Sequence, residues 1–286
     1  DAGDLTAKLP GETTVDVTRS FGDPSTGDSY RLLALPGQVD RSLASTLSGE
    51  AGIEWQAYWD DGSSQDFFLK FDDSEQFDFR PGRGFWVLST SDWSVEATLP
   101  TVSVENDATT IPLHDGWNIV SNPLPRDVSW SAVESAHDGT LQALWRWDGG
   151  QFRQASTFAA ATGGEAYYFL NDQGLSALTI PVPSAGGSST VTEKSQKERA
   201  VELVAQRGDA PVARVRVGEH PAASKEKDGR DLVAPPSRFA DLSLTVQAPF
   251  VDAGTERRGR LAQETRPTGT SGQTYTLDLR ADTTGP

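Results

Sequence analysis

The segment "YRLLALPGQVDRSL" (Tyr30–Leu43) recurs in altered form at a constant offset of 87 positions, as "WNIVSNPLPRDVSW" (Trp117–Trp130). Aromatic, proline, aspartate and serine positions coincide in the two segments. Two further pairs follow in the same order: "YWDDG" (58–62) with "RWDGG" (146–150), and "GRGFWVL" (82–88) with "GEAYYFL" (164–170). Because all three pairs keep their order, we interpret the first two thirds of the chain as two copies of one module.

Within each copy the residue pattern predicts short antiparallel strands. The opening strand ends at a proline, and two aromatic-rich segments separated by Asp-Gly or Gly-Gly predict a hairpin. The polar segment after the proline predicts one short helix, with Asp40 or Asp127 as its N-cap. About five strands and one helix per copy indicate a small antiparallel barrel or sandwich, and the pattern leaves both forms open.

The glycine-rich segment "RPGRGFWVLST" (Arg80–Thr90) permits two interpretations, an anion-binding loop or a turn. In the second copy Glu165 stands opposite Arg83 and Ala166 opposite Gly84, so neither the charge nor the second glycine recurs. No GxGxxG or GxxxxGK[ST] motif occurs in the chain. We therefore favour a hairpin turn that leads into a buried strand.

The composition changes after Pro183. The Pro-, Gly- and Ser-rich residues 184–199 are typical of a linker, and the segments beyond alternate polar with apolar residues, which predicts the strands of a β-sandwich. The predicted organisation is therefore all-β: a first module with an N-terminal strand segment (1–101), a second module (102–183), the linker (184–199) and a C-terminal β-sandwich (200–286) that we expect to be truncated.

Charge is unevenly distributed along the 286 residues. Up to Pro183 there are 27 Asp and Glu against 10 Lys and Arg, a net charge of −17, whereas the rest is near neutral. Such a surface repels nucleic-acid phosphates and anionic lipid, so we expect neither as a partner, and the chain has no apolar run long enough for membrane insertion. Few lysines and an acidic excess fit either a protein of high-salt environments or an ordinary acidic secreted protein.

Two short motifs carry a resemblance to a known group. "GWNIVSNP" (Gly116–Pro123) and "GRGFWV" (Gly82–Val87) resemble a Trp-rich repeat of secreted and surface proteins of the Bacteroidetes and Rhodothermota group. "DGRDLVAPPSRFADLSL" (Asp228–Leu244) resembles the β-rich region that precedes a type IX secretion sorting domain in such proteins. The resemblance implies export and surface display rather than an activity.

No signature of catalysis or of a metal site is present. The chain lacks cysteine, its three histidines are far apart, and GxSxG, HExxH and the EF-hand spacing are absent. Acidic residues such as Asp72 and Asp73, or Asp228 and Asp231, supply oxygens suited to Ca²⁺, but solvated loops and turns explain them better. We therefore predict no catalytic residue, no metal site and no cofactor.

The best candidate ligand residues are aromatic and acidic neighbours at the two predicted hairpin turns. Trp59 with Asp60, and Trp147 with Asp148, each place an indole beside a carboxylate, which suits stacking on a sugar ring with a hydroxyl contact. The alternative is that both tryptophans are core residues, since repeats keep their packing residues first. We expect a non-enzymatic exported region, secreted or on the cell surface, that acts in adhesion, display or scaffolding with a polysaccharide or protein partner. A carbohydrate-binding accessory module of a larger secreted enzyme is the alternative.

Overall fold

The structure, a computed structural model, describes residues 11–23, 29–62, 68–137, 141–183, 199–208, 210–224, 226–237, 239–240, 242–252, 255–268 and 273–281. The chain divides into two compact units. Unit 1 comprises Asp1–Gly149 and Arg153–Ser188, and unit 2 comprises Gly150–Phe152 and Ser189–Pro286. Most of the predicted linker, residues 184–198, and the chain end at 282–286 lie outside the described residues.

The fold is all-β, as predicted. The strands of the first module are β1 (Glu12–Arg19), β2 (Arg31–Ala34), β3 (Arg41–Ser42), β4 (Trp55–Asp60), β5 (Phe68–Lys70), β6 (Asp78–Phe79), β7 (Gly84–Ser89) and β8 (Trp93–Pro100). Those of the second are β9 (Ala108–Pro112), β10 (Gly116–Val120), β11 (Val128–Ser129), β12 (Leu144–Trp147), β13 (Phe152–Ala155), β14 (Thr157–Phe158), β15 (Tyr167–Asn171) and β16 (Ala177–Pro181), with helix α1 (Trp130–Ser135) between β11 and β12.

The two modules have the same strand pairing. A four-stranded sheet has the order β2-β7-β4-β5 in the first module and β10-β15-β12-β13 in the second, and each module adds two two-stranded sheets, β3-β6 and β1-β8 in one, β11-β14 and β9-β16 in the other. The register also agrees: Leu32 lies opposite Trp86 as Ile119 lies opposite Tyr168. The alignment therefore holds for these strands, but it is shifted by one residue at β4 and β12, where Tyr58 lies opposite Trp86 as Trp145 lies opposite Tyr168. In the structure Trp147 thus takes the place of Asp60, and Arg146 that of Trp59.

Each module has its own apolar core. In the first, buried side chains of β1, β2, β7 and β8 surround Phe77, Phe79, Phe85 and Trp93, whose rings stack or meet edge to face. In the second, Trp130 and Phe158 are central to the equivalent cluster. Burial of large aromatic side chains is the main source of stability that such small sheets have.

The predicted helix forms only in the second module, and its predicted cap is wrong. Ser129, not Asp127, caps α1 by accepting a hydrogen bond from the backbone N–H of Ala132 (3.2 Å), while Asp127 accepts from the N–H of Ala160 (2.8 Å). In the first module Ser42 makes the equivalent contact to the N–H of Ser45 (3.2 Å), but the chain forms a single turn.

The difference follows from the residues after this shared cap. The hydroxyls of Ser45 and Thr46 donate to the backbone carbonyls of Ser42 and Leu43 (2.7 and 2.9 Å), so they compete with the helix for its acceptors. Gly49 then adopts a φ of 92°, which ends any helical path. The aligned segments have the same pattern in both modules, so the sequence predicts a helix in each. The helix predicted in the first module does not form.

Strands of unit 2 form one curved six-stranded sheet. They are β17 (Arg199–Arg207), β18 (Ala210–His220), β19 (Leu232–Val233), β20 (Leu242–Asp252), β21 (Thr255–Pro267) and β22 (Thr276–Ala281), in the order β17-β18-β21-β20-β22 with β19 also paired to β21. The first half of β21 pairs with β20 and the second half runs parallel to β18, which curls the sheet around Val215, Val246 and Leu261. In the described part of the chain no helix is long and apolar enough to cross a membrane.

Candidate ligand site at the seam between the modules

The two modules of unit 1 meet along a pseudo-twofold seam. Leu33 forms a bridge with Glu165, and its counterpart Val120 forms the equivalent bridge with Arg83. Backbone bonds repeat the relation, since the N–H of Ala34 donates to Gly164 (3.2 Å) and that of Ser121 donates to Gly82 (3.0 Å). Paired contacts of this kind are what an isologous interface requires. The motif pair "GRG" and "GEA" therefore lies at the seam.

The glycines of these motifs allow the two modules to approach each other closely. Gly82 has a φ of 80°, and a Cβ on it would lie 2.3 Å from the Ile111 side chain. Gly84 lies against Ala166, its own counterpart, so closely that a Cβ on Gly84 would be 2.6 Å from the Ala166 Cβ. Real Cβ atoms do not approach so closely. At this point of the seam only one of the two copies has space for a methyl group, which explains why the second glycine does not recur.

The segment Arg80–Arg83 is a tight turn, as predicted, but it does not close a hairpin. The N–H of Arg83 donates to the carbonyl of Arg80 (3.0 Å). The strands on either side belong to different sheets, because β6 pairs with β3 whereas β7 pairs with β2 and β4. The turn therefore carries the chain from one sheet of the module to another, and it places the Arg83 side chain at the seam.

Trp147 is a core residue of the seam. It is 6 % exposed, its indole N–H donates to the backbone carbonyl of Tyr30 (2.9 Å), and its ring meets the Trp86 ring edge to face at 5.4 Å. Asp148 next to it is exposed and pairs with Arg153. The structure therefore separates the two members of this predicted pair and leaves the Trp147 indole face covered.

Trp59, which the sequence alignment pairs with Trp147, is only half-buried. The guanidinium carbon of Arg83 lies 4.7 Å from the centre of its ring, and the His114 ring meets it edge to face at 6.1 Å. The two tryptophans have different environments because the one-residue shift between β4 and β12 puts Trp147 in the place of Asp60. Trp147 is sealed in the seam, whereas Trp59 contacts a cation beside an open cavity.

Asp60 is completely buried in the seam and does not face a ligand. Its carboxylate accepts hydrogen bonds from the Tyr168 hydroxyl (2.9 Å) and from the N–H of Gly62 (3.0 Å), and that hydroxyl accepts in turn from the Trp86 indole (3.1 Å). Burial raises the pKa of Asp60 to about 6, although both hydrogen bonds and the nearby His114 act to lower it. Asp60 therefore links the two modules through Tyr168.

His114 is held in place by two backbone carbonyls. Its Nε2 lies 2.9 Å from the carbonyl oxygen of Asp60 and its Nδ1 lies 2.9 Å from that of Asp115. A neutral imidazole has one N–H and can donate to only one of them, whereas the doubly protonated ring donates to both. Asn118 fixes the same segment, because it accepts from the His114 N–H and donates to the His114 carbonyl.

A cavity of about 260 Å³ opens where these residues meet. It is lined by both modules: Trp59, Arg80 and Arg83 come from the first, and Leu113, His114 and Asn118 from the second. Its volume is just below the range of about 300–1,000 Å³ typical of ligand pockets, which limits a ligand to about one sugar ring. Of the four residues that the sequence singled out, only Trp59 lines it.

The charge of this cavity is opposite to that of the surface around it. Arg83 is half-buried, and among the described residues no carboxylate lies within ion-pair distance of it. Burial and the neighbouring Arg80 lower the pKa of Arg83, while Asp78 acts in the opposite direction from farther away. Glu165, at the equivalent position of the second module, does have a partner, since Arg19 lies 3.5 Å from it.

Sequence reasoning missed Tyr168, His114 and Arg83 as members of one site. Tyr168 and His114 come from the other module, and nothing local in the sequence places them beside Trp59. The signal that was present is the charge reversal between Arg83 and Glu165. This charge reversal is evidence against a function common to both modules. It also identifies a position where the two copies have different surroundings.

The acidic loops considered for Ca²⁺ use their oxygens internally. Asp72 accepts from the N–H and the hydroxyl of Ser74, which lowers its pKa. Asp231, buried in unit 2, accepts from the N–H groups of Asp228 and Thr265, and burial raises its pKa. Within the described ranges, no three His, Asp or Glu side chains form a group that could hold a metal ion.

Comparisons of the chain with protein-family models, with curated proteins and with solved structures found no match. The resemblance to exported repeat proteins therefore stays a prediction.

Proposed function

We propose that this chain is a non-catalytic region of an exported protein, secreted or displayed on the cell surface, and that it adheres to an extracellular saccharide through the seam cavity. The observation that carries this proposal is the position of Trp59 at an open cavity. Trp147 is sealed in the seam, whereas Trp59 lines an open cavity of about 260 Å³ with apolar and polar walls. Small ligand sites have this composition, a mostly apolar lining with a few placed polar groups.

Support for binding rather than catalysis comes from the chemistry of the cavity. Of the titratable side chains beside it, Asp60 is fully buried and hydrogen-bonded to Tyr168 and Gly62. Both ring nitrogens of His114 contact carbonyl oxygens. Neither group is therefore directed at a substrate as a general acid or base would be. The remaining polar groups, Arg80 and Arg83, hold anions or hydroxyl groups.

The direct test is binding of the purified chain to a panel of neutral and acidic polysaccharides, at low salt and at about 1 M salt, where electrostatic repulsion from the acidic surface is screened. Trp59→Ala should abolish binding. Trp117→Ala is the matched control, because Trp117 is also half-buried at the seam, next to Tyr168, but does not line the cavity. Both variants are checked for folding by circular dichroism.

Two results would count against the proposal: a folded chain that binds nothing in the panel, or a folded Trp59→Ala variant that binds as the parent does. Release of the chain from intact source cells by an added protease would support display at the surface.

A second candidate function is scaffolding without any ligand. The observation in its favour is that Asp60, Tyr168 and Trp86 satisfy one another across the seam, which is what a purely structural contact needs. An empty binding panel together with a high unfolding temperature of unit 1 would favour it.

A further inference from the structure

The guanidinium of Arg83 is placed as a receptor for an anion. Its carbon lies over the Trp59 ring, 4.7 Å from the ring centre, in a cation–π contact. Arg83 has five N–H donors, and Nη1 donates to the carbonyl of Gln76 (2.9 Å). Four N–H groups remain for another acceptor. A planar, pre-oriented fork of this kind matches the two oxygens of a carboxylate.

Within the described residues Arg83 has no ion-pair partner, and the neighbouring Arg80 pairs with Glu75, whose side chain is 91 % exposed (3.7 Å). In the second module the equivalent seam position holds Glu165, and there Arg19 completes the pair at 3.5 Å. The part of the seam that the structure describes thus contains one complete ion pair and one cation without an ion-pair partner.

A half-buried cation with no counter-ion is costly, and burial together with the like charge of Arg80 lowers the pKa of Arg83. The acidic surface around the cavity restricts which anions can bind to Arg83, because the residues up to Pro183 carry a net charge of −17. A ligand with many charges would be repelled on approach, whereas a ligand with one charge loses little. The cavity volume of about 260 Å³ accepts one ring.

We propose that the seam cavity binds a single sugar-acid residue, such as the terminal uronic acid of an otherwise neutral glycan, with the ligand carboxylate on Arg83 and the ring carbons against Trp59 and Leu113. This inference rests on the proposed function and names the ligand class of the same site. Arg80 adds long-range attraction for the carboxylate. The other polar residues of the wall, His114 and Asn118, already use their hydrogen-bonding groups on the backbone, so they shape the cavity rather than bind the ligand.

The test uses two matched pairs of probes, the methyl glycosides of glucuronic acid and glucose, and those of galacturonic acid and galactose. Members of a pair differ only in a carboxylate in place of a hydroxymethyl group. Affinities are measured by ligand-observed NMR on the full chain. At least one acid should bind about tenfold or more tightly than its neutral partner, since a hydrogen bond to a charged group strengthens binding by about that factor.

Three variants assign the preference to residues. Arg83→Gln should remove the preference for the acid and leave weak binding of both sugars, and Arg83→Lys, which keeps the charge but not the fork, should retain part of it. Trp59→Ala should lose both probes. Arg146→Gln, a change at an exposed arginine of β12, is the control and should behave as the parent.

Each other result has a distinct meaning. Equal binding of acid and neutral sugars would overturn this inference and leave the proposed function standing. Failure of every sugar would overturn both. An acid preference that survives in folded Arg83→Gln would overturn the assignment to Arg83. Acetate alone binding at Arg83 as tightly as the uronides would overturn the sugar-acid assignment, because the ring would then contribute nothing to binding.

Discussion

The buried carboxylate of Asp60 predicts a definite pH dependence of stability. Its pKa is about 6 in the folded chain against 3.8 for an ordinary aspartate. As the pH rises from about 4 to 6, the unfolded chain releases this proton first. Unfolding is therefore progressively favoured over this range, and the effect is constant above it. The stability contribution is present in full below pH 3.8 and is lost as the pH approaches 6.

The magnitude follows from the shift. The difference between the two pKa values corresponds to about 3 kcal/mol in the free energy of unfolding, of which roughly 2 kcal/mol falls between pH 4.5 and 7.5. Asp60→Asn removes the titration. The loss of an acceptor for the Tyr168 hydroxyl adds a cost, but this cost does not change with pH. The difference between parent and variant should therefore change by roughly 2 kcal/mol in favour of the variant as the pH rises.

Urea unfolding followed by tryptophan fluorescence measures this difference. All eight tryptophans, the first of them Trp55 and the last Trp147, lie in unit 1, so the signal reports on the unit that contains Asp60. Other carboxylates titrate in both proteins and cancel in the comparison. Asp148→Asn is the control, because it makes the same substitution at an exposed aspartate that follows β12.

Parallel pH profiles of the parent and Asp60→Asn would refute the reasoning, and so would a difference of opposite sign. Tyr168→Phe provides an independent check. It removes the hydroxyl whose hydrogen bond lowers the pKa of Asp60. The pKa of Asp60 should therefore be higher in the variant, and the loss of stability with rising pH should be larger than in the parent.

Two further predictions concern the asymmetry of the seam. Gly84→Ala places a methyl group 2.6 Å from the Ala166 Cβ and should lower the free energy of unfolding by about 1 to 3 kcal/mol. Ala166→Gly in the same chain should recover part of this loss. Urea titrations of the two single variants and the double variant decide whether the two sites are coupled. Trp147→Phe loses the hydrogen bond to Tyr30 inside the seam and should cost roughly 2 kcal/mol or more, whereas Trp59→Phe should cost about 1 kcal/mol or less; equal costs in thermal unfolding would show that the two tryptophans are packed alike.

Strands follow from local patterns that the sequence contains. The segments around Trp86 and Tyr168 form β7 and β15, and the period-two segments of the last third are β17, β18, β20, β21 and β22. Periodicity is a property of a few neighbouring residues, so one chain suffices to recognise it. The helix was harder, because Gly49, which ends the helical path in the first copy, lies beyond the aligned segment.

The site depends instead on residues far apart in the chain. Asp60 and Tyr168 are 108 positions apart, and His114 contacts the carbonyl of a residue 54 positions before it. The repeat itself predicts similar surroundings for Trp59 and Trp147, and for Asp60 and Asp148. The structure differs because β12 is shifted by one residue from that alignment: Tyr58 lies opposite Trp86 as Trp145 lies opposite Tyr168. A shift of one residue moves a side chain to the other face of its strand, so Trp147 takes the buried position that Asp60 has in the first module.

A seam between two identical modules would oblige each residue near the axis to contact its own copy. Joining the modules in one chain removes this obligation, and the seam positions have diverged: Gly84 against Ala166, Trp86 against Tyr168, and Arg83 against Glu165. On one side the divergence gives a closed arrangement, with Trp147 sealed and the Glu165–Arg19 pair complete. On the other side it gives Arg83, which has no ion-pair partner among the residues that the structure describes, beside a cavity.

The burial of Asp60 belongs to the open side. Its carboxylate destabilises the folded chain at neutral pH, yet its backbone carbonyl accepts from His114, whose ring forms part of the cavity wall. That carbonyl is a backbone group which any residue at position 60 would supply, so the cavity wall does not require the carboxylate. The carboxylate instead accepts from the Tyr168 hydroxyl, which in turn accepts from the Trp86 indole. An apolar residue at position 60 would leave this buried hydroxyl without its acceptor, so the burial of Asp60 serves the contact between the two modules.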